Sequence, residues 1–308
     1  MAGIFQKRIG FSGVVLLLAL AWSVQGQVRL RTSSAYNQIT VEDTGGYRLL
    51  RFNGSMETRM WLPNPLFGHF EYTEYFQMPL IFNPKPQRML LMGLGGGSTV
   101  RAFQHHYPDV HLDTVELDPK VAQVAAQYFG VKETAKHKLH FRDGRQYLRL
   151  NKAHKYDAIL MDAYTSNQYG THIPFHLATK EFFTLAASNL TDNGVLVFNV
   201  IGSYSGWRSD IIGSMYATMK SVFPQVYHFP ASDTRNIVML ATRDRQGLTS
   251  ATLRAKVDAL RKARPDLPKH FGVRLARIRT TAPPSARNAR VLTDNFAPPG
   301  GLLKSNSR

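Results

Sequence analysis

The stretch Arg88-Met-Leu-Leu-Met-Gly-Leu-Gly-Gly-Gly-Ser-Thr-Val-Arg101 decides how this chain is read. Leu90 to Met92 have the length and apolar character of a buried strand, Gly93 to Gly97 read as a turn, and Ser98 onward starts a helix through Phe103. Such a turn needs backbone angles that side chains resist, and a missing Cβ lets a ligand lie against the main chain. Gly93, Gly95, Gly96 and Gly97 are therefore expected to bind a nucleotide-like group. The next apolar run, His111 to Asp118, carries Glu116, 19 residues past Gly97. A carboxylate at that spacing sits on the neighbouring strand tip, where its two oxygens can accept both hydroxyls of a ribose. Counted from Gly93 and Gly95, the third glycine of the dinucleotide fingerprint would fall at Ser98. A nucleoside without a pyrophosphate, such as S-adenosylmethionine or a relative, therefore fits better than NAD.

From Leu90 onward the pattern alternates. Strands are expected at 89–93, 111–117, 138–142, 156–162 and 194–200, and helices at 98–106, 118–128, 174–190 and 207–222. That alternation implies a parallel sheet covered on both faces. The last two apolar runs, Gln225–Phe229 and Asn236–Thr242, are joined too tightly for anything but antiparallel pairing. The layout is α/β, the seven-stranded Rossmann-like sheet of a class I AdoMet-dependent transferase with helices on both faces. Ahead of it, Gln38–Asp43 and Tyr47–Gly54 flank a glycine turn and read as a β-hairpin, with a third strand at Glu57–Leu62. The aromatics of Phe70–Pro79 read as core in a short helix. The expected units are a small β region at 34–66, a catalytic domain at 67–245, and a basic tail at 246–308. The tail opens with a helix capped at Thr249 or Ser250, whose Leu253, Val257 and Leu260 share a face, and is irregular beyond it.

Two further acids fall at strand ends. Asp143, after the third strand of the alternation, is placed to accept from the exocyclic amine of an adenine, and Gly144 leaves room for the ring. Asp162 ends the fourth strand and faces the crevice beyond the carboxyl ends of the sheet, where such folds bind ligands. Beside an adenosyl sulfonium it can take the proton of an attacking amine. His172 and His176 flank Pro174, which interrupts a helix through both, and the next acid is Glu181. No metal site is expected.

Asn37-Gln-Ile, Tyr72-Thr-Glu74, Leu94-Gly-Gly-Gly-Ser98, Val115-Glu-Leu-Asp118, Arg142-Asp-Gly144 and Tyr156–Asp162 follow one another in an order that resembles the spermidine synthases, or polyamine aminopropyltransferases. The likeness runs from about Ser34 to Arg243. Ile173–Leu177 and Val291–Pro298 look more like a divergent, membrane-associated or exported branch. The resemblance implies decarboxylated S-adenosylmethionine or S-adenosylmethionine as co-substrate, with an amine or other small nucleophile as acceptor. It implies that Glu116 holds the ribose, Asp143 and Gly144 the adenine side, and Asp162 acts as proton acceptor. Asn37 stands where the family has a glutamine near the nucleoside. Thr73, Ser98 and Thr165 stand where the family holds its substrates with a histidine and two acids. Each acid exchanged for a hydroxyl forfeits a charge-assisted contact of about 1.5–3 kcal/mol, so two weaken a polyamine grip by roughly a hundredfold or more. A methyltransferase on the same scaffold and a non-catalytic exported binding module are the alternatives.

The 308 residues, 44% of them hydrophobic, suffice for a sizeable core and exclude a disordered chain. With no cysteine, disulfide frameworks and thiolate metal sites are excluded. The net charge of +17 is concentrated late: Arg243–Arg308 carries 15 Lys/Arg against 4 Asp/Glu. That tail suits an anionic membrane surface or a solvated face, and no specific nucleic-acid partner is expected; a homodimer is open. Lys7-Arg8 precede an apolar run from Ile9 to Val24 that ends in Ser-Val-Gln-Gly-Gln27. Residues 1–26 therefore read as a secretory signal or an uncleaved anchor, which predicts a membrane-associated or exported (periplasmic) protein, a cytoplasm-facing anchor remaining open.

Overall fold

The computed structural model describes residues 26–167 and 170–296. Four strands open it: β1 (Gln27–Ser33), β2 (Gln38–Thr44), β3 (Tyr47–Phe52) and β4 (Ser55–Trp61). They form an antiparallel meander in chain order. Asn53-Gly54, with φ of 51° and 87°, closes the β3–β4 turn, as an Asn-Gly pair does when both central residues must adopt positive φ. Ile39, Val41, Leu50 and Met60 turn inward and join the main core. The sheet is one strand larger than the sequence suggests. β1 lies along an exposed edge and has only Val28 and Leu30 as apolar residues, so little apolar periodicity marks it. A 3₁₀ helix, Glu71–Ile81, then buries Tyr75, Phe76, Met78 and Leu80.

The central sheet is built from β5 (Arg88–Met92), α1 (Ser98–His106), β6 (His111–Glu116), α2 (Pro119–Phe129), β7 (His137–Phe141), α3 (Gly144–Leu150) and β8 (Tyr156–Met161). A short ribbon follows, β9 (Thr165–Asn167) with β10 (Gly170–His172), then α4 (Lys180–Asn189), β11 (Leu190–Ile201), α5 (Ser209–Lys220), β12 (Gln225–Pro230) and β13 (Asn236–Thr242). Seven strands lie in the order β12-β13-β11-β8-β5-β6-β7, with β13 antiparallel to both its neighbours. The expected seven-stranded α/β class I architecture is the observed one.

Both faces are covered, as the continuous apolar strands require. Met89 and Leu91 point to one core with Ala158, Leu160, Val195 and Val197; Leu90 and Met92 point to the other with Ile159, Met161, Leu196 and Phe198. The chain runs from β5 outward to β7, then returns to the opposite side of β5 at β8. A crevice opens at that reversal, beyond the carboxyl ends of the strands.

The helix expected over 174–190 is divided. Phe175–Leu177 forms a single 3₁₀ turn, and α4 starts afresh where the Thr179 hydroxyl accepts from Phe182 N. The short α3, which the sequence reading omits, begins because Asp143 accepts from Gln146 N.

The tail is more ordered than its composition suggests. α6 (Ser250–Ala263) is capped by Thr249 and packs Leu253, Val257 and Leu260 on the core. Beyond it, α7 (Phe271–Leu275) and a 3₁₀ turn at Pro284–Asn288 fold back onto the body. Arg264 pairs with Asp109, Arg274 with Glu71 and Glu74, Arg277 with Glu71, and Arg145 with Asp294. Part of the tail's positive charge is thus neutralised within the fold. The expected membrane-associated or exported location is corrected: among the described residues no helix is long and apolar enough to cross a membrane. Of the leader on which it rested, residues 1–26, all but Gly26 lies outside the described residues.

Candidate active site

Strand register brings the acids together. Met92 pairs with Val115 of β6 and Met161 of β8, and Glu116 pairs with Phe141 of β7. Gly93 N donates to Val115 O, Asp162 N to Met92 O and Arg142 N to Glu116 O, so the ladder continues one residue past the strand ends. Gly93, Glu116, Asp143 and Asp162 therefore emerge side by side at the reversal. They line a cavity of about 470 Å³, which Asn37, Thr73, Gly95, Ser98, Gly144 and Thr165 also border.

The glycine turn is shaped by tight packing. Gly93 has φ of 92°, and a Cβ there would lie 2.2 Å from Asp162 O. Gly96 and Gly97 do not line the cavity. Gly96 N donates to the Thr58 hydroxyl at 2.8 Å, and Gly97, with φ of 72°, caps α1 and packs on Val131. Two of the four glycines expected at the ligand instead hold the N-terminal sheet and α1 in place.

Glu116 accepts from Leu94 N at 3.0 Å and from Asp118 N at 2.9 Å, one bond on each oxygen. A carboxylate has about four acceptor positions, so both oxygens keep capacity for a ligand. Burial raises its pKa, and the backbone N–H groups oppose the shift. Asp143 caps α3 with one oxygen and meets His176 Nε2 with the other at 2.6 Å. The His176 contact, aided by Gln146 N, holds Asp143 below the usual carboxylate range. Asn37 is turned toward Asp118 and Asn53, with Nδ2 3.5 Å from Asp118 Oδ2 and Oδ1 accepting from Asn53 Nδ2 at 3.2 Å.

Asp162 is held from two sides. Tyr72 Oη donates to Oδ2 at 3.1 Å and Asn199 Nδ2 donates to Oδ1 at 2.9 Å. Asn199 is itself oriented by Asn236 Nδ2, which donates to its Oδ1 at 2.9 Å. Burial pushes Asp162 up to about 6, against the pull of Asn199 and Tyr72. A carboxyl in that range accepts a proton readily near neutral pH.

The hydroxyls expected on the substrate side, Thr73, Ser98 and Thr165, line the cavity with fewer contacts. Thr73 Oγ1 donates to Phe70 O at 2.8 Å, and Ser98 Oγ accepts from Arg101 Nη2 at 3.3 Å. Thr165 is exposed at the rim, on β9. Among the described residues no three side chains of metal-ligating type converge.

Sequence reasoning missed three residues here. Tyr72 was expected in the core, yet its hydroxyl reaches Asp162. Asn199 had a signal, a single amide in the apolar run Val195–Val200, at the register that places it beside Asp162. Glu57 had none, because an acid on a short N-terminal strand reads as solvent-facing.

Residues 69–232 match the spermine/spermidine synthase domain. A polyamine aminopropyltransferase of Vibrio vulnificus (strain CMCP6) is 32% identical over 309 residues, which cover 94% of this chain and 98% of that one. The structure of a probable spermidine synthase from Corynebacterium glutamicum ATCC 13032 superposes with a TM-score of 0.67 at 20% identity, over 87% of this chain and 97% of that one. Human methyltransferase-like protein 13, solved in complex with SAH, superposes with a TM-score of 0.56 at 27% identity, over 64% of this chain and 94% of that one. The strand-tip acids, the glycine turn and the N-terminal meander are thus those of a chain that belongs to the spermine/spermidine synthase family.

Proposed function

We propose that the cavity binds an adenosyl sulfonium, decarboxylated S-adenosylmethionine in the first instance, and that the protein transfers its aminopropyl group to an amine. The single observation that carries this is the common cavity of Glu116, Asp143 and Asp162, with Asp162 held by Tyr72 and Asn199 and raised to about 6. The residues suit the group. Glu116 retains acceptor capacity for a ribose, and Gly93 and Gly144 leave a floor that a Cβ would disturb, at 2.2 Å from Asp162 O and 2.7 Å from Met92 Sδ. Glu116 would hold the sugar, and Asp143 with Gly144 the adenine side, where the base amine shares Asp143 with His176 or displaces it.

When bound, the sulfonium supplies an electrophilic methylene, whose bond to sulfur breaks toward sulfur as the amine nitrogen bonds to carbon. Asp162 then receives the proton that the nitrogen sheds. Tyr72 and Asn199 keep both of its oxygens oriented, and burial keeps it basic enough to take that proton. In this reading residues 67–245 are the catalytic unit, 34–66 a β region bordering its site, and the described part of 246–308, as far as residue 296, a brace. The chain is a divergent member at its substrate-holding positions, Thr73, Ser98 and Thr165.

Calorimetry with decarboxylated S-adenosylmethionine, S-adenosylmethionine and methylthioadenosine tests the site, and no heat with any of the three rejects it. A methyltransferase reading is favoured by the likeness to an SAH-bound methyltransferase-like protein and by the exchanged acids. Product mass separates the two, since an aminopropyl group adds about 57 Da to a nucleophile and a methyl about 14.

A further inference from the structure

Glu57 lines the cavity and has no part in the transfer proposed for it. Glu57 lies on β4, beside Thr58, whose hydroxyl takes the Gly96 N–H, and both line the cavity. Its Oε1 is fully buried and has no hydrogen-bond partner. The Ser55 hydroxyl bonds the carboxyl, and Thr171 Oγ1 of β10 in turn donates to Ser55 Oγ at 3.2 Å, which fixes the side chain from the ribbon side of the cavity. The charged group acting on Glu57 is another acid, Asp162, and Tyr72 and Tyr164 feel both carboxyls. Burial, with Asp162 adding to it and Ser55 opposing it, pushes Glu57 up to about 7.

A buried oxygen without a partner, in a cavity that holds a second buried carboxyl, is costly when nothing is bound. A ligand that brings a positive charge and N–H donors into the cavity that both acids line removes that cost. A neutral or anionic ligand does not. The chain also has hydroxyls at Ser98 and Thr165, where the family resemblance leads one to expect acids.

We infer that Glu57 is an ammonium-binding residue of this cavity, taking the primary amine of a reactant on its free oxygen and supplying from β4 the charge that Ser98 and Thr165 lack. The inference rests on the aminopropyl-transfer reading for the identity of that reactant. Two sources carry the same chemistry: the aminopropyl arm of the donor nucleoside, and the far end of a diamine acceptor.

The test is calorimetry at pH 8 on the wild-type chain and on Glu57→Gln, with methylthioadenosine, decarboxylated S-adenosylmethionine and 1,4-diaminobutane, the last both with and without methylthioadenosine. Methylthioadenosine has no ammonium, and its affinity should hold within about twofold, which also shows that the variant is folded. At least one amine ligand should bind Glu57→Gln about ten- to a hundredfold more weakly, as expected for loss of a charge-assisted bond. A loss confined to the diamine assigns Glu57 to the acceptor, and a loss confined to the decarboxylated nucleoside assigns it to the donor. Glu57→Asp, which keeps the charge, should recover part of the loss. Equal binding of both amine ligands by wild type and Glu57→Gln overturns the inference. Failure of wild type to bind methylthioadenosine would instead reject the nucleoside reading, and the diamine titration without nucleoside would still decide Glu57.

Discussion

Replacing Asp162 by asparagine should abolish most activity and yet stabilise the protein above neutral pH. Asp162 is shifted by burial from an ordinary value of 3.8 to about 6. A carboxyl with a raised folded-state pKa contributes stability that is fully present below its unfolded value, near 3.8, and lost as pH rises through about 6. The shift corresponds to about 3 kcal/mol withheld from the wild type above that range. The amide recovers less than this. Asn199 Nδ2 is pinned as a donor because its Oδ1 is taken by Asn236, so the introduced amide must turn its oxygen toward Asn199 and its NH₂ toward Tyr72 Oη. Turning that hydroxyl from donor to acceptor costs about 1 kcal/mol. A net gain of about 1–2 kcal/mol remains, or roughly 2–4 °C in Tm for a chain of this size.

The assay is thermal denaturation of ligand-free wild type and Asp162→Asn at pH 8, 6 and 4.5, with turnover measured alongside. The gain should be full at pH 8, reduced at pH 6 and nearly gone at pH 4.5, while turnover falls by about 10²–10⁴. A variant less stable than wild type at pH 8, or a gain that does not change with pH, would refute the assignment of Asp162 as a buried base with a raised pKa.

Glu116→Gln keeps the shape of the ribose-side group but removes its charge and one acceptor; methylthioadenosine should bind about ten- to a hundredfold more weakly by calorimetry, and unchanged affinity would remove Glu116 from the site. Gly93→Ala drives a Cβ to 2.2 Å from Asp162 O at a φ of 92°, so the urea midpoint should fall by the equivalent of at least about 2 kcal/mol. A change under about 0.5 kcal/mol would mean that the turn yields more easily than its packing suggests. Thr165→Asp restores an acid on the exposed rim, where solvent weakens ion pairs, and should raise diamine affinity by a modest three- to tenfold, roughly. No gain in a diamine titration would show that position 165 does not face the amine.

Periodicity and punctuation determined the architecture of this protein. The apolar runs at Leu90–Met92, Tyr156–Met161 and Val195–Val200 are buried on both faces, and that burial fixes their type, spacing and parallel pairing without reference to anything distant. The same register rule makes Glu116 and Asp162 legible, because the last residue of a strand and the one after it must stand at the sheet's carboxyl edge. The grip on Asp162 was decided elsewhere: Tyr72 and Asn199 lie 90 and 37 residues from it and meet it only because the 3₁₀ helix and β11 pack beside β8. Glu57 reaches the cavity because a separate sheet folds over the glycine turn through Thr58, and that placement depends on inter-element packing, which no local pattern encodes. The tail shows the same division. Its arginines announced a basic surface, but the acids that meet them, Glu71, Glu74 and Asp109, lie on elements up to 206 residues away in the chain, so only the closed fold could say how much of that charge faces solvent.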